Sequence, residues 1–404
     1  MRISVPVWSL RVVLLLLCIL TSCIGESISR DARDARWYYD AYLSEKGMPE
    51  LLGRFDQVRA RDRQGCLRKK DLMQGRTGEP CVTADMFELP TKFLSFEEWL
   101  QQRPVYQDPE MQSNYYPGYP FLDGQCFYKM CDFTWSTYYQ FFRGQFFNDT
   151  FDVTKVFNRS VVFWSLNFKG PDLSHLLHRI DQIPNHFFLI THKQDNIRLP
   201  PWLLDHPKVL KIFALNIPHH LEHPKLVPIP LGIGEHGRLP SRYLNEFLHN
   251  ASQSSAIRPK HLMHIGFYQM RIGSRQRAMR RRRILGFVAQ HFPVPRTAGH
   301  RVAPMQYWGN LLRHKFVLSP PGDGWDAFRT WEILYIGRVP VVSQVLPDRL
   351  YDDLPVHIVT NWSAFAKEEL ENDWTRLQTR TFNVQRLWID WWLTFIVREC
   401  LATP

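Results

Sequence analysis

Apolar residues follow two regimes along this chain, and the change falls near residue 155. Downstream of it, mainly apolar runs recur at Val161–Phe168, His186–Thr191, Val209–Asn216, Leu226–Ile233 and His261–Phe267. Each run is bounded by Pro, Gly or polar residues. Runs of this kind suit strands buried on both faces, and the helical or loop segments between them predict a parallel sheet built from βαβ-like units. An Arg-rich helix then leads to about residue 290. A second set follows: a helix over Pro304–His314 with Pro304 at its start, a strand at Phe316–Ser319, a helix over Asp326–Ile336 and a strand at Val339–Val342. Gly337 is placed to end its helix as a C′ glycine, and Val356–Thr360 predicts a further strand. The tail from Phe382 to Leu401 is amphipathic and Trp-rich, and is expected to pack back across both halves. Residues 26–150 lack clean periodicity apart from a helix-like piece at Ser95–Gln102, and read as a stem and an irregular cap. No internal repeat interrupts this order.

Composition supports a globular reading: 404 residues, 45% hydrophobic and 22% charged, enough for two domains. The N-terminus changes the compartment. Arg2 and Arg11 precede an apolar run from Val12 to Leu20, and small residues follow at Thr21–Gly25. The run is shorter than the ~20 residues of a membrane span, so residues 1–25 read as a cleaved signal peptide. Counted back to Val5, the same segment serves as a signal anchor instead. Leu20-Thr21-Ser22-Cys23 has the form of a lipidation box, which ranks below both. Sequons at Asn148, Asn158, Asn250 and Asn361 fit a secretory route. Of seven cysteines, Cys18 and Cys23 lie in the signal; Cys66, Cys81, Cys126 and Cys131 allow two disulfides in three connectivities. Cys400 is the odd one, expected buried and free. These bridges would tie the N-terminal region.

Net charge is +11, which admits nucleic acid, an anionic membrane or an acidic glycan as partner. The secretory signal argues against nucleic acid; a basic nucleic-acid-binding protein, nuclear or cytosolic, is the reading it competes with. In the cluster Arg275–Arg283, four consecutive arginines cover all sides of a helix. A solvated helix with one or two functional members is therefore expected.

The chemistry concentrates in Phe316–Val342, which reads strand, glycine loop, helix start, strand. That order presents backbone N–H groups and a helix N-terminus where a phosphate could sit. Gly322 and Gly324 allow a tight turn and close backbone approach, and Ser319 lies at the C-terminal end of a strand, where open α/β sheets bind ligands. Arg329 and Glu332 stand one turn apart on one helix face. They would supply a cation for a diphosphate and a carboxylate for ribose hydroxyls; the competing reading is an i,i+3 surface salt bridge. Asp323 or Asp326 is expected to cap the helix start. Trp331 and Tyr335 are expected in the domain core.

This stretch resembles the C-terminal signature of exostosin-type glycosyltransferases. The signature stands here as Ser319-Pro-Pro-Gly322, Arg329-Thr-Trp-Glu332, Gly337 and Val339-Pro-Val341, and extends more weakly over about 160–365 through Leu189–Asp195 and His223–Ile233. The resemblance implies an α/β protein of the GT-B type, with two Rossmann-like domains facing across a cleft. Residues 151–290 would form the N-terminal, acceptor domain and 291–404 the nucleotide-sugar-binding domain with its C-terminal helix. It also implies a hexosyl- or pentosyltransferase acting in the Golgi or ER lumen, membrane-anchored or secreted, on a glycan or glycoprotein. Arg329 would lie on the diphosphate and Glu332 on the ribose. Arg338 departs from the pattern and is expected to alter only the surface. The loop Asp323–Phe328 varies in such proteins, so the donor sugar is not read from it.

No cofactor is expected besides the donor substrate. No Asp-x-Asp triplet occurs, so a metal-bridged diphosphate lacks obvious ligands, and arginines with the helix N-terminus would neutralise the leaving group instead. Arg275 and Arg277 are candidates for a second cation. On the acceptor side, His192 and Asp195 follow one strand and Glu235 and His236 another, which makes them candidate general bases or loop hydrogen-bonding residues. His219, His220 and His223 read as a loop. The alternative to an enzyme is an inactive glycan-binding or complex-partner subunit on the same fold.

Overall fold

A computed structural model describes residues 88–404 except 90, 102–120, 123, 125–126, 128–130, 137–151, 166–178, 193–198, 234–243, 245–246, 249–257, 267–274 and 294–303. The expected signal segment, Cys66, Cys81, Cys126, Asn148 and Asn250 lie outside the described residues. All described residues fall in one unit, Arg54–Pro404.

The described chain opens with β1 (Phe93–Ser95) and α1 (Phe96–Gln101). A capping box starts this helix: Ser95 Oγ accepts the Glu98 N–H at 3.3 Å, and Glu98 Oε2 accepts the Ser95 N–H at 2.8 Å. The first sheet holds β2 (Phe133–Ser136), β3 (Ser160–Ser165), β4 (Phe187–Thr191), β5 (Val209–Ala214) and β6 (Leu226–Pro228), in that order and all parallel. Every residue of β4 is buried, as a strand covered on both faces requires. The short α2 (Pro201–Asp205) joins β4 to β5 and buries Leu203 and Leu204. Val162, Trp164, Leu189, Ile212 and Ala214 share one core with Ile180, Ile183 and Leu203.

The second sheet runs β10-β9-β8-β7, again parallel: β7 (His261–His264), β8 (His314–Leu318), β9 (Val339–Ser343) and β10 (His357–Val359). Between β7 and β8 lie α3 (Arg275–Val288) and α4 (Pro304–Leu311); α5 (Phe328–Tyr335) connects β8 to β9, and α6 (Lys367–Leu377) follows β10. The fold is thus mixed α/β with two parallel sheets. In both, the described strands are laid down in sequence order, without a reversal. The C-terminal ends of the strands meet instead: His219 N–H, past β5, donates to the Val345 carbonyl, past β9, at 3.1 Å.

Gly337 ends α5 as expected. It has φ 72°, Arg338 N–H donates to the Ile333 carbonyl and Gly337 N–H to the Leu334 carbonyl, both at 3.0 Å. Only glycine takes this left-handed position without strain. Arg338 corrects an expectation. It is fully buried, not a surface change: Nε donates to the Leu312 carbonyl at 3.0 Å and Nη1 to the Gly337 carbonyl at 2.8 Å.

The tail crosses back over both halves, as its pattern predicts. β11 (Thr381–Asn383) pairs antiparallel with β1, and α7 (Ile389–Ala402) ends against the first sheet. There Arg159 Nη2 donates to the carbonyls of Cys400 at 2.5 Å and Thr403 at 2.6 Å. The Tyr335 hydroxyl donates to the Leu387 carbonyl and accepts the Leu122 N–H at 2.9 Å. Trp331 and Tyr335 are fully buried, in the core as expected.

Two readings of residues 26–150 change. The helix expected at Ser95–Gln102 is α1, but the segment around it is not an irregular cap: β1 pairs with β11 and β2 forms the edge of the first sheet. Cys131 is a free thiol, donating to the Phe127 carbonyl at 3.2 Å, so its expected disulfide is not formed. Cys400 is buried and forms no disulfide, as expected. Asn158 is half-buried before β3, and Asn361 is exposed after β10. Among the described residues, no helix is long and apolar enough to cross a membrane.

Candidate functional site

β8 delivers the chain to the junction of the two sheets. Ser319, its next residue, is buried; its N–H donates to the Val341 carbonyl at 2.8 Å and its hydroxyl shares a 2.9 Å hydrogen bond with Thr330 of α5. Ser319 therefore fastens the loop to the helix. The glycines that follow permit close approach, but the groups approaching them belong to this chain. A Cβ at Gly322 would lie 3.2 Å from Arg281 Nη2, and one at Gly324 only 2.7 Å from Asn216 Nδ2.

α3 supplies cations to this loop. Its inner face runs Arg277, Arg281, Ile284, Val288, a helical stripe whose apolar half is buried. Arg277 Nη1 pairs with Asp323 Oδ1 at 3.0 Å, and Arg281 Nε donates to the Pro321 carbonyl at 2.7 Å. Arg280 stacks on Trp325, its guanidinium carbon 4.3 Å from the ring centroid. Of the two arginines singled out by sequence, Arg277 reaches the loop, whereas Arg275 stands exposed in the first turn. Arg280 and Arg281 were not singled out. The spacing of Arg277 and Arg281 to Ile284 and Val288 was the signal available for Arg281.

Neither expected aspartate caps α5. Its N-cap is Ala327, without a side-chain cap bond. Asp323 is taken by Arg277. Asp326 lies one residue outside the cap and ties the two sheets together. Its Oδ2 accepts the Leu231 N–H at 2.8 Å and the Trp331 indole N–H at 2.9 Å; its Oδ1 accepts the Ala327 N–H at 2.8 Å. Its own N–H donates to Asn216 Oδ1 at 2.7 Å. Asn216 and Leu231 follow β5 and β6, and Asn216 takes a left-handed φ of 57° to reach across. Burial pushes the Asp326 carboxyl up to about 6, against the pull of these donors.

Arg329 and Glu332 lie together, as their spacing predicts. Glu332 is buried; burial raises its pKa while Arg329 opposes the rise. Arg329 is half-buried, its guanidinium carbon 5.8 Å from the centroid of the Tyr307 ring of α4. The Tyr307 hydroxyl is pushed up to about 12, chiefly by burial. His264, at the end of β7, is driven down to about 4 by burial, then by His314 and Arg329. A half-exposed guanidinium with a buried carboxylate, a phenol and a neutral imidazole around it can bind an anion and accept from hydroxyls.

The acceptor side is less populated. His192 is buried beyond β4, hydrogen-bonded through Nε2 to the Pro230 carbonyl at 3.0 Å and stacked on Phe127. That is a structural position. Asp195, Glu235 and His236 lie outside the described residues. His219, His220 and His223 fall in the loop before β6, and among the described residues no three His, Cys, Asp or Glu side chains converge on a metal position. No known family profile matches the chain, and no curated protein is significantly similar to it.

Proposed function

We propose that the chain is a glycosyltransferase of the GT-B type, moving a sugar from a nucleoside diphosphate donor to a glycan or glycoprotein hydroxyl in the secretory pathway. One observation carries the reading. Arg277 and Arg281 clasp the Pro321–Asp326 loop from α3, and Arg329 rises from the first turn of the helix that follows it. In this reading the guanidiniums take the charge that develops on the departing diphosphate. Preorganised donors in a partly desolvated site are the largest common source of such stabilisation. In the same reading Glu332, beside Arg329, accepts the ribose hydroxyls. The tail that returns from the second sheet to Arg159 supports a two-lobed arrangement with a shared strap.

A second reading has its own support. The Ala327 N–H at the start of α5 already holds the Asp326 carboxylate, and Arg277 is already paired with Asp323. Those contacts favour a non-catalytic subunit on the same fold. A thermal-shift panel of nucleoside diphosphates and nucleotide sugars on the purified chain tests both. At a hundredfold excess over Kd a bound ligand adds ~2.7 kcal/mol. A stabilising nucleotide followed by sugar transfer or donor hydrolysis supports the enzyme; binding without turnover supports the subunit. No response to any diphosphate, or full response in Arg281→Ala, overturns the site.

A further inference from the structure

His264 is the last residue of β7, and it stands at the strand end where open parallel sheets bind ligands. Its imidazole lies against the backbone of Gly266. A Cβ there would come within 3.2 Å of His264 Nε2 and Cδ2 and within 3.6 Å of Tyr307 Cε2. The bare glycine thus lets the imidazole and the Tyr307 ring of α4 approach one point. The same Tyr307 ring has the Arg329 guanidinium carbon 5.8 Å from its centroid. His264 and Arg329 therefore gather around one phenol. From β8 the His314 ring is centred 4.7 Å from His264 and 5.1 Å from His261. His314 Nδ1 donates to the Asn310 carbonyl at 2.9 Å, which fixes its proton. The groups around His264 are thus His261 on its own strand, His314 from β8, Tyr307 from α4 and Arg329 from α5, with the Glu332 carboxylate beside Arg329 and Tyr307.

His264 is half-buried, and its ring nitrogens are neither enclosed nor bonded to a described residue, so they face solvent. Burial first, then His314 and Arg329, disfavour its charged form and drive it down to about 4. The last of these causes depends on what Arg329 holds. An anion on the guanidinium offsets its charge and brings an opposite charge towards the imidazole. An opposite charge within ~4–6 Å raises an imidazole pKa by roughly 1–3. We propose that His264 completes the anion site of Arg329 and takes up a proton from solvent when a diphosphate binds there. The inference rests on the reading of Arg329 as a diphosphate ligand given above. No covalent bond to the ligand forms or breaks. One proton passes from solvent to the imidazole, which then donates an N–H bond to a phosphate oxygen. Binding is thereby linked to pH and tightens as pH falls towards the value of the free ring.

Calorimetry of the full chain with ADP, CDP, GDP and UDP, in two buffers of different ionisation heat, reads the proton uptake. At about pH 5.5 the free ring is neutral and the bound ring largely charged. The tightest nucleotide should bring in about half a proton or more beyond that seen in His264→Asn, because the nucleotide's own titration is common to both proteins and cancels. From about pH 7 to about pH 5 the parent's affinity should gain about tenfold over the variant's. Histidine-selective 15N spectra of the parent need no folded variant: one imidazole should pass from neutral to doubly protonated as the nucleotide saturates. Equal uptake in parent and variant, the same pH dependence in both, or no imidazole that becomes doubly protonated overturns this inference. If Arg329→Ala still abolishes binding, the reading of Arg329 survives that result. Binding that persists in Arg329→Ala, or no binding of any of the four nucleotides, overturns the reading of the site and this inference with it.

Discussion

Asp326→Asn isolates the electrostatic cost of the contact that joins the two sheets. The substitution keeps the shape of the side chain but removes its titration. The carboxyl rises from 3.8 to about 6 on folding, chiefly through burial. Two pKa units correspond to about 3 kcal/mol. Because the folded pKa is raised, the folded chain holds more protons than the unfolded one between those values. This group's stabilising influence is complete below about pH 4 and is lost as pH rises through about 6. All other groups titrate alike in both proteins and cancel in the comparison. The Asn amide nitrogen cannot accept the Ala327 N–H, a fixed loss of about 1–3 kcal/mol. The expected result is a variant clearly less stable than the parent near pH 4 and close to it, or above it, near pH 7.5. Urea unfolding of both proteins at half-unit pH steps measures the difference. A gap that stays constant within about 0.5 kcal/mol across that window refutes the reasoning, because Asp326 would then not be ionised in a buried position.

Gly324→Ala should destabilise by about 1–3 kcal/mol, since its Cβ would lie 2.7 Å from Asn216 Nδ2; adding Asn216→Gly, which removes the obstructing side chain and suits φ 57°, should recover part of the loss in thermal unfolding. Arg338→Met should cost about 2–4 kcal/mol, because the carbonyls of Leu312 and Gly337 lose their donors in a fully buried position, and a denaturation midpoint near the parent's would contradict that. Tyr335→Phe should cost about 1–3 kcal/mol by stranding the Leu122 N–H and the Leu387 carbonyl, with faster amide hydrogen exchange at Leu122 as its local signature. Ser319→Ala should cost about 1 kcal/mol through the lost Thr330 bond and leave nucleotide affinity unchanged; a large loss of affinity would give Ser319 a ligand role it lacks here.

How much of this was legible follows from what each feature depends on. The strands of both sheets other than β2 could be read because burial on two faces leaves a local mark, a run with few polar residues. The end of α5 could be read because one glycine decides it. The pair Arg329 and Glu332 could be read because helical spacing alone brings them together. What stayed hidden depends on partners remote in the chain. β1 pairs with β11 across nearly the whole described sequence, so its three residues carry no signal of their own. Arg338 looks like any charged residue after a helix until the Leu312 carbonyl is placed beside it.

The glycine loop shows why a correct pattern gave only part of the site. Sequence indicates that Gly322 and Gly324 admit something close, and does not indicate what. The answer at Gly324 is Asn216, whose separation of 110 residues from Asp326 leaves no pattern to find. Asp326 was legible as a residue of the helix start but not as a link, because capping and cross-sheet pairing demand the same carboxylate next to the same helix. Both sides of the junction thus meet in one buried carboxylate, two residues before the helix that carries Arg329 and Glu332. Any ligand held by that pair is held by a surface whose geometry Asp326 sets through Leu231, Asn216 and Trp331. Loss of that carboxylate should therefore affect nucleotide affinity as well as stability, whereas loss of Tyr335, remote from the loop, should affect stability alone.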